Sequence, residues 1–95
     1  MTTRHLLRRI NQLIDDELPP VIIQRMKSEW GMTDFSSIWL EPTGRLLIIF
    51  IHECLHLVYP EMCETRVTEL QRQMTRELSS RQCAHLMKRL GTLIQ

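Results

Sequence analysis

The stretch that decides the fold is residues 46–60, with the sequence LLIIFIHECLHLVYP. Its apolar first half fits either a buried strand paired with residues 36–40 or a buried helix that is apolar on every side. We predict the helix, from about Thr43 to Tyr59, because the polar residues that follow need helical spacing to act together. Pro60 ends this helix, since the residue before a proline is pushed out of the helical region.

Three polar residues interrupt the apolar helix: His52, Glu53 and His56, in an HExxH arrangement. At positions i and i+4 the two imidazoles project from one face about a turn apart, so both can bind a single Zn²⁺. Glu53 lies one residue to the side, where its carboxylate can accept a proton from a water at the metal instead of binding the metal itself. The spacing therefore predicts two ligands and a general base.

A third ligand is needed, because a catalytic zinc keeps three protein ligands and an open fourth position. Glu64 is the best candidate, eight residues after His56 and three before Val67. We expect it on the inward, apolar stripe of the next helix, where a carboxylate is costly unless it is paired or binds a metal. The first turn of that helix also favours an anion. Glu61, in the connecting turn, is expected to face solvent.

The N-terminal third of the chain predicts two packing helices. The first starts at Thr3 as the N-cap residue, carries apolar residues at helical spacing, and ends at the acidic cluster 15–17. After a Pro-Pro pair, the pattern of apolar residues from Ile22 to Trp30 predicts a second helix, and Gly31 is placed to stop it.

The remaining segments predict one strand and two helices. Alternation at 36–40 favours a short strand, and the apolar stripe after Pro60 favours a helix from about Cys63 to Leu78. Ser79 and Ser80 then break the chain and cap a final helix. The predicted fold class is therefore mainly α (α+β minor), with an active-site helix, a ligand-bearing helix after it, and one short strand or hairpin.

Composition limits the function classes. The 95 residues suffice for one core, and 43% hydrophobic with 24% charged residues exclude a disordered chain. The net charge of +1 is scattered, so we expect no nucleic-acid partner, and the longest apolar run, residues 46–51, is far below the roughly 20 residues of a membrane span. Three cysteines without a Cys-x-x-Cys spacing and a start unlike a secretory signal predict a cytoplasmic protein.

Residues 52–64, HECLHLVYPEMCE, follow an HExxHxxxPxxxE pattern. This resembles the HExxH zinc metallopeptidases of the gluzincin type and, more narrowly, very small bacterial and phage-encoded zincin-like proteins. The resemblance implies Zn²⁺ as the cofactor, His52, His56 and Glu64 as the zinc ligands, and Glu53 as the catalytic general base. It also implies a peptide or protein substrate.

The resemblance covers about residues 36–78. Metzincins fit less well, because their glycine and third histidine would fall at Tyr59 and Met62. One departure from the pattern is Cys63, where a small capping residue such as serine is expected; the thiol caps poorly, or its thiolate competes for the metal. We predict a single zincin-like domain, 1–95, made of N-terminal helices (1–35), a metal-site core (36–78) and a C-terminal helix (79–95).

Two functions follow from this reading. The first is a zinc-dependent metallopeptidase of minimal size that hydrolyses peptide bonds by metal-activated water. The alternative is a non-catalytic zinc-binding, zincin-like regulatory or interaction module. A third and weaker hypothesis is a helical partner-binding domain without metal, which requires that a strand-to-loop transition separates His52 from His56. A substrate peptide can add to the strand around residues 38–41. The oxyanion-stabilising residue is left open among Tyr59, Arg45 and His85.

Overall fold

The computed structural model describes residues 1–16, 18–23, 31–33, 38–40 and 45–93. Within these ranges the chain forms four helices and three short strands. They are α1 (Thr3–Asp16), β1 (Val21–Ile23), β2 (Gly31–Thr33), β3 (Ile38–Leu40), α2 (Leu46–Val58), α3 (Glu64–Glu77) and α4 (Ser80–Leu93). The predicted class, mainly α with a minor β part, is confirmed.

The apolar stretch at the centre of the sequence is α2, and it is also the centre of the fold. It contacts α1, α3, α4, β2 and β3, so nearly every face of it is covered. This explains much of its apolar first half, since Ile49, Phe50 and Ile51 are almost fully buried among these elements. The strand reading of this stretch is therefore excluded. The helix begins at Leu46, and the predicted start near Thr43 lies outside the described residues.

The core forms where the apolar stripes of the other helices meet α2. Each stripe repeats at intervals of three or four residues, which places its members on one helical face. Helix α3 was predicted over 63–78 and spans Glu64–Glu77, one residue shorter at each end. The fully or almost fully buried side chains on the three surrounding helices are Leu6, Ile10, Val67, Leu70, Met74, Leu86 and Leu90.

The prediction of a second helix after the Pro-Pro pair is wrong at its start, because Val21–Ile23 is a strand. This strand, β1, pairs in parallel with β3, with Val21 opposite Ile38 and both side chains fully buried. Three successive β-branched residues suit a pleated, buried position, and parallel pairing with a distant segment outweighs the local helical spacing. The rest of the predicted helix, including Met26 and Trp30, lies outside the described residues.

The strand predicted at 36–40 is confirmed for Ile38–Leu40, while residues 36 and 37 lie outside the described ranges. It is not a lone strand or a simple hairpin: the sheet order is β1-β3-β2, so β3 is the middle strand. Strand β2 pairs with it in antiparallel fashion and starts at Gly31, which was predicted to stop a helix. Both β2 and β3 contact α2, and the contact of β2 is the more extensive.

Two helix starts are fixed by side-chain caps. In α1 the Oγ1 of Thr2 accepts a hydrogen bond from the N–H of His5 at 3.1 Å, so the cap lies one residue before the predicted Thr3. Helix α4 has a reciprocal capping box: the N–H of Gln82 donates to Ser79 Oγ (3.1 Å), and the N–H of Ser79 donates to Gln82 Oε1 (2.8 Å). Ser79 is therefore the cap that the sequence predicted. None of the helices in the described ranges is long and apolar enough to cross a membrane.

Candidate metal centre

The turn between α2 and α3 positions the candidate ligands. The N–H of Tyr59 still donates to the carbonyl of Leu55 at 2.9 Å, so α2 keeps its helical path to this residue before Pro60 ends it. The N–H of Met62 then donates to the carbonyl of Tyr59 at 3.0 Å and closes a tight turn. Helix α3 begins at Glu64, directly after this turn. Its first residue is thereby returned to the end of α2 that carries the histidines.

The three predicted ligands meet in space. Glu64 Oε1 lies 2.7 Å from His52 Nε2, and Glu64 Oε2 lies 2.7 Å from His56 Nε2. The two Nε2 atoms are 3.2 Å apart, and the rings stand edge to face, with centroids 4.9 Å apart. Among the residues that the structure describes, this is the only group of histidine, cysteine, aspartate and glutamate side chains close enough together to hold a metal ion.

One of these separations, that between the two Nε2 atoms, matches the ligand set of a small cation, whereas the two 2.7 Å distances from Glu64 are those of direct hydrogen bonds. Zinc–nitrogen bonds of ~2.0–2.1 Å at tetrahedral angles place two ligand atoms roughly 3.3 Å apart, close to the 3.2 Å between the Nε2 atoms. Two imidazole nitrogens and a carboxylate also form a donor set typical of Zn²⁺ and of neighbouring first-row metals. The residues therefore fit the predicted kind of group, and the donor set alone does not distinguish among these metals.

The surroundings of Glu64 differ from the prediction. It was expected on the inward stripe of α3, but its side chain is 68% exposed, because the inward stripe begins three residues later at Val67. What holds the carboxylate in place is its contact with both imidazoles, together with its position in the first helical turn. Glu61 is exposed in the turn, as predicted.

The histidines sit between the core and solvent. Their side chains are 17% and 24% exposed, for His52 and His56 respectively, so the site opens to solvent on the side of Glu64. Both lie within α2, with no strand-to-loop transition between them, which removes the condition for a metal-free helical module. The Nε2 atoms point to Glu64 and to each other, unlike two core histidines that are bonded only to backbone.

Glu53 is the one charged side chain buried in the described part of the chain, at 6% exposure. It interacts electrostatically with the neighbouring Cys54 thiol. At about 100° per residue, its Cα lies about 60° around the helix from that of His56. This places the predicted general base beside the face that carries the candidate ligands and inside the protein.

The cysteines next to the site behave differently from each other. Burial first, and then the carboxylate of Glu53, raise the pKa of the Cys54 thiol well above its ordinary value, so the thiol stays protonated and inert. Cys63 is exposed at the N-cap of α3 and, within the described part of the chain, makes no side-chain capping hydrogen bond, as the sequence suggested. Its sulfur is not part of the candidate metal-binding group.

The three candidates for oxyanion stabilisation lie in different parts of the structure. His85 is exposed on α4 and not part of the candidate ligand group. Arg45 is seven residues before His52, about 10.5 Å away along the helix axis. The hydroxyl of Tyr59 is buried, so it is not accessible to a substrate bound from solvent.

Comparison of the chain with models of protein families, with curated proteins and with solved structures finds no match. The findings therefore reach as far as a possible metal-binding group with the histidine spacing of an HExxH motif.

Proposed function

We propose that the protein is a zinc-dependent metallopeptidase of minimal size, with a zincin-like site of the gluzincin type. The observation that carries the proposal is the convergence of His52 Nε2, His56 Nε2 and the Glu64 carboxylate on one point. Three protein ligands at a site that opens to solvent leave a coordination position for water, which is typical of catalytic zinc sites, whereas structural sites are closed by four protein ligands.

The chemistry divides between the metal and the chain. A bound zinc ion supplies Lewis acidity, which polarises a carbonyl and lowers the pKa of water toward ~7. Glu53 accepts the proton of the attacking water and passes it to the leaving amine. The carboxylate of Glu53 is buried next to Cys54, in surroundings of low dielectric constant. Bulk water therefore competes little for its hydrogen bonds.

The place of the substrate has to be revised. The sequence suggested strand addition around residues 38–41, but β3 is paired on both sides, by β1 and by β2. A peptide can pair only with an outer strand, and of the two outer strands among the described residues, β2 is the one with the larger contact with α2. We therefore propose that an extended peptide substrate pairs with the backbone of β2, beside the helix that carries the histidines.

The test is hydrolysis of a peptide library by zinc-loaded protein, compared with the Glu53→Gln variant. Gln keeps the volume of the buried side chain and removes its ability to accept a proton. We expect cleavage by the wild type, no cleavage by the variant, and equal zinc content in both. Equal activity of the two proteins would refute a role of Glu53 as base. Inactivity of both on every substrate would refute the peptidase.

One observation favours the alternative, a non-catalytic regulatory or interaction module. The three ligands come from α2 and α3, so an ion would fasten these two helices across the turn between them. Such a module would bind zinc and lose stability in chelator without cleaving any peptide. The Glu53→Gln comparison separates the two functions, because the module predicts no difference in activity.

The setting of the protein is part of the proposal. All three cysteines lie in the described ranges and are free, which fits a reducing compartment such as the cytoplasm.

A further inference from the structure

A cavity of about 410 Å³ lies between α1 and the C-terminal end of α2, and the proposed metal chemistry does not use it. The side formed by α1 consists of Arg9, Gln12, Leu13 and Asp16, and the other side consists of the end of α2 and the turn after it. The volume falls within the range of about 300–1,000 Å³ that is usual for small-ligand sites. The cavity is therefore large enough for a small molecule or a short peptide.

The cavity and the candidate metal ligands lie on different faces of the last turn of α2. Val58 lines the cavity and follows His56 by two residues, so its Cα lies about 160° around the helix from that of His56. None of the three candidate ligands is among the lining residues. A ligand in the cavity would therefore occupy a site separate from the metal centre.

The α1 side of the cavity carries a positive charge near one end and a negative charge at the other. Arg9 and Asp16 are seven residues apart, so they share one face of the helix, with about 10.5 Å between them along its axis. Nη1 of Arg9 donates a hydrogen bond to Oε1 of Gln12 at 3.0 Å, which orients the guanidinium and leaves its other N–H donors for a carboxylate. Within the described ranges, neither Arg9 nor Asp16 forms an ion pair.

Asp16 lies where a negative charge is unfavourable without a partner. It is the last residue of α1, and the carbonyl groups at a helix C-terminus carry partial negative charge that favours cations. The last turn of α1 contains no basic residue, and the other aspartate there, Asp15, is paired with Arg89 of α4. A cation bound beside Asp16 would be stabilised by its carboxylate and by the helix end together. This observation indicates an amine at this end of the cavity.

The surface between the two charges is largely apolar. Leu13 contributes to it from α1, and Leu57, Val58 and Pro60 contribute from the opposite side. Leu13 and Leu57 are partly buried against the core, so their positions are fixed by packing. A ligand that suits this surface has apolar groups between its charged ends.

We propose that this cavity binds a short peptide with free ends, with its C-terminal carboxylate at Arg9 and its N-terminal ammonium group at Asp16. An extended chain spans about 3.3–3.6 Å per residue, so three residues match the roughly 10.5 Å between the two charged positions. An apolar side chain in the middle of the peptide would contact Leu13 and Leu57. The inference does not rest on the metal site, and the peptide is bound here without being cleaved.

The test is calorimetric titration with the tripeptide Ala-Leu-Ala in the presence of chelator, which prevents metal-dependent hydrolysis of the probe. The same peptide is also titrated with an acetylated N-terminus or with an amidated C-terminus. We expect each modification to weaken binding to the wild type roughly tenfold, because each removes one hydrogen-bonded charge contact.

Two variants assign the ends of the peptide. Asp16→Asn should bind the free peptide roughly tenfold more weakly and should no longer distinguish it from the acetylated peptide. Arg9→Gln should show the same loss and no longer distinguish the free peptide from the amidated one. Arg8→Gln is the matched control for Arg9→Gln, because it removes the same charge from an exposed position of α1 outside the cavity. Thermal unfolding of each variant checks that it is folded.

Each outcome decides the proposal. Weaker binding of both modified peptides, with the predicted loss of discrimination in the two variants and none in Arg8→Gln, supports it. Equal binding of free and modified peptides, unchanged binding by folded Arg9→Gln and Asp16→Asn, or no binding by wild type at millimolar peptide overturns it. Binding that requires added Zn²⁺ also overturns it, because the peptide would then lie at the metal centre. The proposed peptidase is tested separately by Glu53→Gln, so the two can fail independently.

Discussion

The sharpest prediction concerns Glu64→Ala, which removes one of the three proposed ligands without disturbing the core. The side chain is 68% exposed, and its contacts are the two imidazole nitrogens at 2.7 Å. In chelator, an exposed ion pair contributes only about 0–1 kcal/mol to the free energy of unfolding. The metal-free variant should therefore fold and melt close to the wild type.

Zinc separates the two proteins. A ligand at 100 times its Kd stabilises the folded state by about 2.7 kcal/mol, which for a 95-residue domain corresponds to a rise in Tm of roughly 10–20 °C. If Glu64→Ala weakens binding about 100-fold, the same zinc concentration equals its Kd, and the stabilisation falls to about 0.4 kcal/mol, or roughly 2–3 °C.

The assay is thermal unfolding by circular dichroism with chelator and with a zinc series, with metal content measured by elemental mass spectrometry. Glu61→Ala is the matched control, since it removes an exposed glutamate three residues away that is not part of the ligand group. We expect about one zinc per chain in wild type and Glu61→Ala, and a marked loss in Glu64→Ala. A Tm that does not respond to zinc, or responds equally in Glu64→Ala, would refute the three-ligand site.

Three further predictions concern stability and thiol chemistry. Gly91→Ala should raise the free energy of unfolding, measured by urea titration, by about 0.5–1 kcal/mol. Gly91 is exposed within α4, and an added Cβ meets nothing within 4 Å. A loss of stability would contradict this prediction. Ser79→Ala should lower it by about 0.5–2 kcal/mol, since the bond from the Gln82 N–H to Ser79 Oγ is lost, and an unchanged urea midpoint would show that the capping box contributes nothing. Timed labelling with iodoacetamide should modify Cys63 in the folded protein and Cys54 only after unfolding. Cys54 is fully buried, and burial raises the pKa of its thiol. Prompt labelling of Cys54 would contradict this prediction and show that α2 opens.

Local patterns predicted the four helices that form in the described ranges, but they also predicted a helix after the Pro-Pro pair where β1 forms. The boundaries of α3 and the cap of α4 could be read from the sequence, because apolar spacing, Pro60 and the Ser79–Gln82 pair act within a few residues. The pairing of His52 with His56 is of the same kind, since an i, i+4 spacing on a helix places two side chains on one face whatever the rest of the chain does.

The sheet could not be predicted in this way. Val21 pairs with Ile38, seventeen residues later, and parallel pairing leaves no local signature at either end. Considered alone, Ile22 and Ile23 fit the spacing of a helix, and only the contact with β3 decides otherwise. The position of β3 in the middle of the sheet, which excludes strand addition there, follows from the same nonlocal pairing.

The sequence by itself determined that His52 and His56 share one face of α2, because helical geometry is local and the HExxH spacing sets it. It also indicated Glu64 as the third ligand. The tertiary structure decided that Glu64 reaches both histidines from an exposed position, and that Glu53 and the Tyr59 hydroxyl are buried. Burial and contact across a turn depend on how α2 and α3 pack against the other elements, and this packing is a property of the whole fold.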